Sequence, residues 1–157
     1  MSSSIRDWPR FLQQCFDNIT PGGYAELQDM DVLPLSDDGT LLPTSPLYKC
    51  MSLMHLATIK AGCAFQHHSE LEGAMRRAGF VDVVVRKFKW PQNGWAKDPK
   101  VKEMGHWNYL NLNKGIEGFC LALFTRVLRW KTEEVQAFLG GVRKELRDGG
   151  VHAYWTV

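Results

Sequence analysis

The stretch Thr20-Pro21-Gly22-Gly23-Tyr24-Ala25-Glu26-Leu27-Gln28-Asp29-Met30-Asp31 decides how the chain is read. Gly22 and Gly23 permit a tight reversal, because neither carries a Cβ that restricts φ. Just before them, Trp8, Phe11, Leu12, Cys15, Phe16 and Ile19 recur with a helical period. That spacing predicts an amphipathic helix, with Asp7 as its cap and Pro9 tolerated in its first turn. Just after them, Tyr24 to Asp31 reads as a strand. Helix, Pro-Gly-Gly turn and strand together make the α-to-β step of an α/β unit.

Working outward, residues 33–46 carry three prolines and Asp37-Asp38-Gly39, the composition of a loop. Leu47 to Ala61 is predicted helical, with Leu47, Cys50, Met51, Met54 and Thr58 on one face. Ser69 is expected to cap a short helix that buries Leu71, Ala74, Met75 and Ala78 and closes at Gly79. Phe80-Val81-Asp82-Val83-Val84-Val85 is rich in β-branched residues and reads as a strand running to about Trp90. Pro91 to Pro99 is a second loop with Asn93-Gly94 at its turn. Asp98-Pro99 then opens a helix with a break expected at Gly105 or between Asn111 and Gly115. From Ile116, the residues Phe119, Cys120, Leu123, Phe124, Val127 and Leu128 form an apolar stripe. Thr132 is expected to cap the last helix, which ends at Gly149-Gly150. Val151, Ala153, Trp155 and Val157 alternate with His152, Tyr154 and Thr156, as in a strand. The fold class is α/β, with at least three strands and covering helices in one domain, residues 1–157.

Length and composition agree with one globular domain. The 157 residues are 45% hydrophobic and 23% charged, with a formal charge of +2. Such a balance points away from a wholesale nucleic-acid or membrane-surface role. The apolar run Phe119 to Phe124 is far short of a bilayer span, and residues 1–10 show no signal peptide. A cytoplasmic or nuclear protein is expected. Cys15, Cys50, Cys63 and Cys120 form no C-x-x-C pair and are expected as reduced thiols. Cys63, His67, His68 and Glu70 form a short cluster of metal-capable groups without a second ligand pair, so no metal site is expected.

Chemistry is constrained first by missing motifs. The sequence contains no G-x-G, no G-x-x-x-x-G-K-[ST], no G-x-S-x-G and no H-E-x-x-H. Gln28, Asp29 and Asp31 lie at the carboxyl end of the first expected strand, where α/β sheets bind ligands. They are equally ordinary polar residues where a strand leaves a core. Trp90, Trp95, His106 and Trp107 crowd one region among Arg86, Lys87, Lys89, Lys97, Lys100 and Lys102. They read first as surface lysines over a packed loop, second as the wall of a small-molecule pocket, and last as a nucleotide-stacking surface, which the near-zero net charge disfavours.

Several stretches resemble the fungal secondary-metabolism methyltransferases, a family that includes the velvet-complex regulator. They are Ser4-Ile5-Arg6-Asp7-Trp8-Pro9, Pro21 to Glu26, Ala78-Gly79-Phe80-Val81-Asp82-Val83, and Trp90-Pro91 through Trp95-Ala96-Lys97-Asp98-Pro99. The likeness continues through Lys102-Glu103-Met104-Gly105, Glu117-Gly118, Thr132-Glu133-Glu134-Val135 and Val151-His152-Ala153-Tyr154. The resemblance implies a partial class I, Rossmann-like methyltransferase fold, limited to the C-terminal half with strands five to seven. The glycine-rich turn that holds S-adenosylmethionine in such enzymes lies outside the part resembled. A truncated enzyme is therefore expected, or a non-catalytic remnant acting as an interaction partner, or a repurposed natural-product pathway protein. By position, Ile5, Asp7 and Trp8 would edge the cofactor site. Trp90, Trp95, His106 and Trp107, in an insertion that would wall the pocket, would face a natural-product substrate, joined by Gln28 and Asp29 from their place at the strand's carboxyl end. An exposed sheet edge near Tyr24 is expected to favour homo- or hetero-oligomers.

Overall fold

The computed structural model describes residues 4–157. Its elements are α1 (Trp8–Asn18), α2 (Pro46–Lys60), α3 (His68–Ala78), β1 (Lys89–Pro91), α4 (Pro99–Ala122), α5 (Thr132–Arg147) and β2 (Tyr154–Thr156). A π-helical turn, Leu123–Val127, extends α4.

Two apolar clusters organise these elements. The larger one is helical, built from α2, α4, the π turn and α5, with Trp155 of β2 fully buried in it. Its largest buried side chains include Trp155, Phe124, Leu47, Ile116 and Leu139. The smaller cluster joins α1 to α3 through Trp8, Leu12, Leu71, Ala74 and Ala78. Asp31 links the two regions. Its backbone N–H donates to the Thr156 carbonyl at 2.9 Å, and its carboxylate lies 3.1 Å from His68 and 3.4 Å from His67 at the start of α3.

The helices follow their local chemistry. Asp7 caps α1 by accepting from the Arg10 N–H at 3.0 Å. Asp98 caps α4 by accepting from Lys100 and Val101, both at 3.0 Å. Ser45 caps α2. The cap of α3 is His67, two residues before the expected Ser69, and Gly79 closes that helix in a left-handed conformation at φ 107°. Thr132 is the first helical residue of α5 rather than its cap. The Glu134 carboxylate accepts from the Lys131 N–H at 2.7 Å and satisfies that end instead.

The expected break in α4 does not occur. Gly105 serves close packing: a Cβ there would meet the Asn93 carbonyl oxygen at 2.0 Å. Phe119, expected in the apolar stripe, is 51% exposed, because the stripe's buried line runs through Leu112, Ile116, Cys120 and Phe124.

Strand structure is smaller than the sequence suggests. β1 and β2 pair antiparallel, with Lys89 opposite Thr156, Trp90 opposite Trp155 and Pro91 opposite Tyr154. Phe88 and Val157 exchange two further backbone bonds, at 2.8 and 2.9 Å. On the other side of β2, Leu35 forms an isolated antiparallel bridge with Tyr154. The third strand-like partner is thus residues 31–35 and not Tyr24–Asp31, whose Tyr24 is 96% exposed. The Phe80–Trp90 strand survives only at its end. Asp82 takes φ 52°, which turns the chain between Val81 and Val83 and breaks the extended run. A strand is stabilised by ladder bonds to a neighbour. Val83 instead gives its carbonyl to the Arg76 guanidinium at 2.8 Å. Val81, Val84 and Phe88 are left exposed.

Candidate functional site

The loop after β1 builds the site by capping a helix end. The last carbonyls of an α-helix have no partner within the helix. At the end of α5 they are met by two consecutive side-chain amides. Asn93 Nδ2 donates to the Leu146 carbonyl at 3.0 Å and to that of Asp148 at 2.9 Å. Gln92 Nε2 donates to the Val151 carbonyl at 2.9 Å and reaches toward that of Glu145 at 3.4 Å. Asn108 of α4 holds the loop from the other side, donating to the Pro91 carbonyl at 2.8 Å. Gln92, Asn93 and Asn108 are all buried. Buried amides tied to backbone on three elements make a rigid floor, because freeing any one would orphan its partners.

Above this floor lies an open cleft of about 250 Å³, walled by Asn93, Trp95, His106, Tyr109, Arg147 and Gly149. The Trp95 ring is fixed at its edge, since Nε1 donates to the Ala153 carbonyl at 3.0 Å. Its backbone N–H donates to Asn93 Oδ1 at 3.1 Å. One side of the indole is covered by His152, with ring centroids 5.0 Å apart. Arg147 Nε donates to the Tyr109 hydroxyl at 3.3 Å.

His152 connects the cleft to a polar cluster on the β2 surface. Its Nδ1 lies 2.5 Å from Asp38 Oδ2, and its backbone N–H donates to Thr40 Oγ1 at 2.8 Å. Asp38 also accepts from the hydroxyls of Ser36 at 2.7 Å and Thr40 at 2.8 Å. The Ser36 bond foremost, then the His152 and Thr40 bonds, holds the Asp38 carboxyl well below the usual carboxylate range. Next to it, Asp37 pairs with Lys89 and accepts from the Tyr154 hydroxyl at 2.7 Å. Lys89 sits 4.5 Å above the Tyr154 ring centroid. The bond to Asp37, together with burial, raises the Tyr154 phenol.

Of the residues expected to face a substrate, Trp95 and His106 meet in this cleft. Trp90 sits in β1 opposite Trp155, and Trp107 is 63% exposed on α4. Gln28 bonds Glu26 at 2.8 Å, and the Asp29 carbonyl lies 3.3 Å from His68 Nε2, on the α3 side of the molecule. The residues expected at a cofactor edge belong to the smaller cluster. Trp8 is buried, Ile5 packs against the same cluster, and Asp7 is the α1 cap. A second, mostly apolar depression of about 410 Å³ is lined by Pro43, Tyr48, Leu53, Trp130 and Phe138, among others. Ile5, Asp7 and Trp8 line neither depression. Among the described residues there is no group of three or more His, Cys, Asp or Glu side chains placed to hold a metal ion. No helix of the described residues is long and apolar enough to cross a membrane.

Sequence reasoning missed Asn93, Tyr109, Arg147 and the His152–Asp38 pair. Asn93 had a turn signal only. Arg147 reads from sequence as a charge complementing the α5 dipole. His152 and Asp38 are far apart in the chain, and no spacing rule joins them.

The probable methyltransferase tdiE of Emericella nidulans is 39% identical over 151 residues, which is 96% of this chain and 48% of that protein. The methyltransferase pytC of Aspergillus terreus is 39% identical over 153 residues, 98% of this chain and 47% of the relative. The chain is related to the fungal secondary-metabolism methyltransferases. The secondary metabolism regulator LAE1 of Cochliobolus heterostrophus extends the relationship, at 33% identity over 98% of this chain and 52% of that protein. The chain spans about half the length of the curated relatives it matches. No family model matches it, and no solved structure does.

Proposed function

We propose that this chain is the acceptor-substrate side of an S-adenosylmethionine-dependent methyltransferase of fungal secondary metabolism, with the C-terminal part of a class I fold. The supporting observation is the match of nearly the whole chain to about half of tdiE and of pytC, in a chain that here carries the Trp95–Arg147 cleft. The cofactor would supply the methyl group. The described residues do not form a cradle for it: Asp7 is committed to its helix cap and Trp8 to the α1–α3 core. Methyl transfer gains much of its rate from proximity and orientation. The chain's own contribution is then to bind and orient the acceptor on a floor held by the buried amides of Gln92, Asn93 and Asn108. A cytoplasmic or nuclear location is part of the same reading.

A second reading, a non-catalytic partner of another chain, is favoured by one observation. Val81, Val84 and Phe88 are 82%, 74% and 64% exposed, on the approach to β1, whose strand pairing among the described residues is with β2 alone. Unpaired edges and contiguous apolar surface invite association.

Calorimetric titration separates the readings. The chain alone is expected to bind S-adenosylmethionine weakly or not at all. It should gain methyl transfer to an acceptor when supplied with a polypeptide carrying the other half of a relative. Micromolar binding by the monomer alone would overturn the division of labour. A reconstituted pair with full cofactor binding and no transfer to any acceptor would favour the non-catalytic reading. Light scattering that finds a strict monomer at high concentration would count against association through the 81–88 segment.

A further inference from the structure

We infer that the Trp95–Arg147 cleft selects a small planar aromatic molecule that carries an acidic group. The inference deepens the acceptor-site reading and rests on it. The cleft's walls divide into spent and unspent groups. The Asn93 amide is fully engaged: Nδ2 by two carbonyls, Oδ1 by the Trp95 N–H. Trp95 Nε1 is held by Ala153. What remains to a ligand is the indole surface, the His106 ring and the Arg147 guanidinium.

Arg147 is the decisive group. It has five N–H donors, and only Nε has a protein partner among the described residues, the neutral Tyr109 hydroxyl. Among the described residues no carboxylate forms an ion pair with it, although Asp148 is its neighbour in sequence. The Asp148 Oδ1 atom instead accepts from the Gly150 N–H at 2.8 Å. Gly94 also lines the cleft. The Lys102 side chain crosses Gly94, where a Cβ would meet Lys102 Cγ at 3.4 Å and Cε at 3.9 Å. No acidic side chain lines the cleft. A planar guanidinium with both terminal nitrogens open matches a carboxylate or similar anion in fork geometry.

Shape supplies the other half. The indole is locked at its edge and backed by His152, so a ring can stack on it without reordering Trp95. The volume of 250 Å³ lies below the roughly 300–1,000 Å³ of pockets for drug-sized ligands, and so suits a molecule of one or two rings.

Ligand-observed NMR and calorimetry on the full chain, without S-adenosylmethionine, test this with 2-naphthoate, 2-naphthamide and cyclohexanecarboxylate. Binding of 2-naphthoate is expected to be at least about tenfold tighter than that of either comparison compound, as loss of one charged or stacking contact implies. Arg147→Gln, at an exposed position, should bring the acid and the amide to the same affinity. Trp95→Leu should bring the aromatic and alicyclic acids together, and Trp95→Phe should keep part of the difference. Equal binding of acid and amide, unaltered 2-naphthoate affinity in Arg147→Gln, or no binding at millimolar concentration would each overturn the inference. Because the assay contains no cofactor, a positive result with a reconstituted pair that transfers no methyl group would sink the enzyme reading alone.

Discussion

Gly105 and Gly118 lie in the same helix, α4, and the structure assigns opposite signs to the same substitution at the two positions. An alanine in a helix interior is favoured over glycine by about 1 kcal/mol, because the unfolded chain loses less entropy on folding. At Gly118 the new Cβ meets nothing within 4 Å, so that gain should appear undiminished. At Gly105 the Cβ meets the Asn93 carbonyl oxygen at 2.0 Å, its carbon at 2.7 Å and Pro91 Cβ at 3.2 Å. The first two contacts are backbone, held by Asn108 below and by the end of α5 behind, so no flexible side chain can swing aside. Overpacking costs about 1–3 kcal/mol and more where the neighbour cannot yield. Set against the propensity gain, Gly105→Ala should destabilise by about 2 kcal/mol. For a chain of this size, 1 kcal/mol moves Tm by roughly 2–4 °C. Thermal melts followed by circular dichroism should show Gly118→Ala raising Tm by about 3 °C and Gly105→Ala lowering it by about 4–8 °C. If both variants rise together, Gly105 is not a close-packing position and the rigid floor of the cleft is wrongly described.

Asn93→Ala frees the carbonyls of Leu146 and Asp148 in a buried corner, and should cost about 2–4 kcal/mol in urea denaturation. A cost below about 0.5 kcal/mol would mean the α5 end finds other partners. Asp38 has a depressed folded-state pKa, so its bonds stabilise the fold above the unfolded carboxylate pKa of about 3.9 and are lost as pH falls below it. Asp38→Asn should therefore lower Tm at pH 6 and have a shrinking effect as pH falls below about 4. An effect independent of pH would refute the assignment. Cys50 and Cys120 lie with Sγ atoms 3.5 Å apart in the core, and their mutual bond and burial push the Cys50 thiol up. Mass spectrometry after iodoacetamide treatment should find Cys15 and Cys63 alkylated in the native protein, and Cys50 and Cys120 only after unfolding. Equal native labelling of all four would contradict the buried pair.

The helices were legible because their signals are local. Asp7 three residues before Arg10, Asp98 before Pro99, and apolar residues at a helical period each act within one or two turns. The strands were legible only in part. β-branched residues 81–85 satisfy a strand's composition, yet pairing needs a neighbour that composition does not supply. β2 found two neighbours, β1 and the segment around Leu35, while Tyr24 to Met30 has no ladder bond among the described residues.

By itself the sequence determined where the described α-helices lie, though not the unbroken run of α4, together with the reversals at Gly22 and Gly79 and the relationship to fungal methyltransferases. It also brought Trp95 and His106 forward. Only the tertiary structure decided that Arg147, more than fifty residues away, stands opposite Trp95, and that His152 backs the same indole against Asp38. The reason is the reach of the forces. Capping and helical packing are settled between residues three or four apart. The cleft exists because α5 ends with open carbonyls, and the amides of Gln92 and Asn93 arrive from a distant loop to fill them.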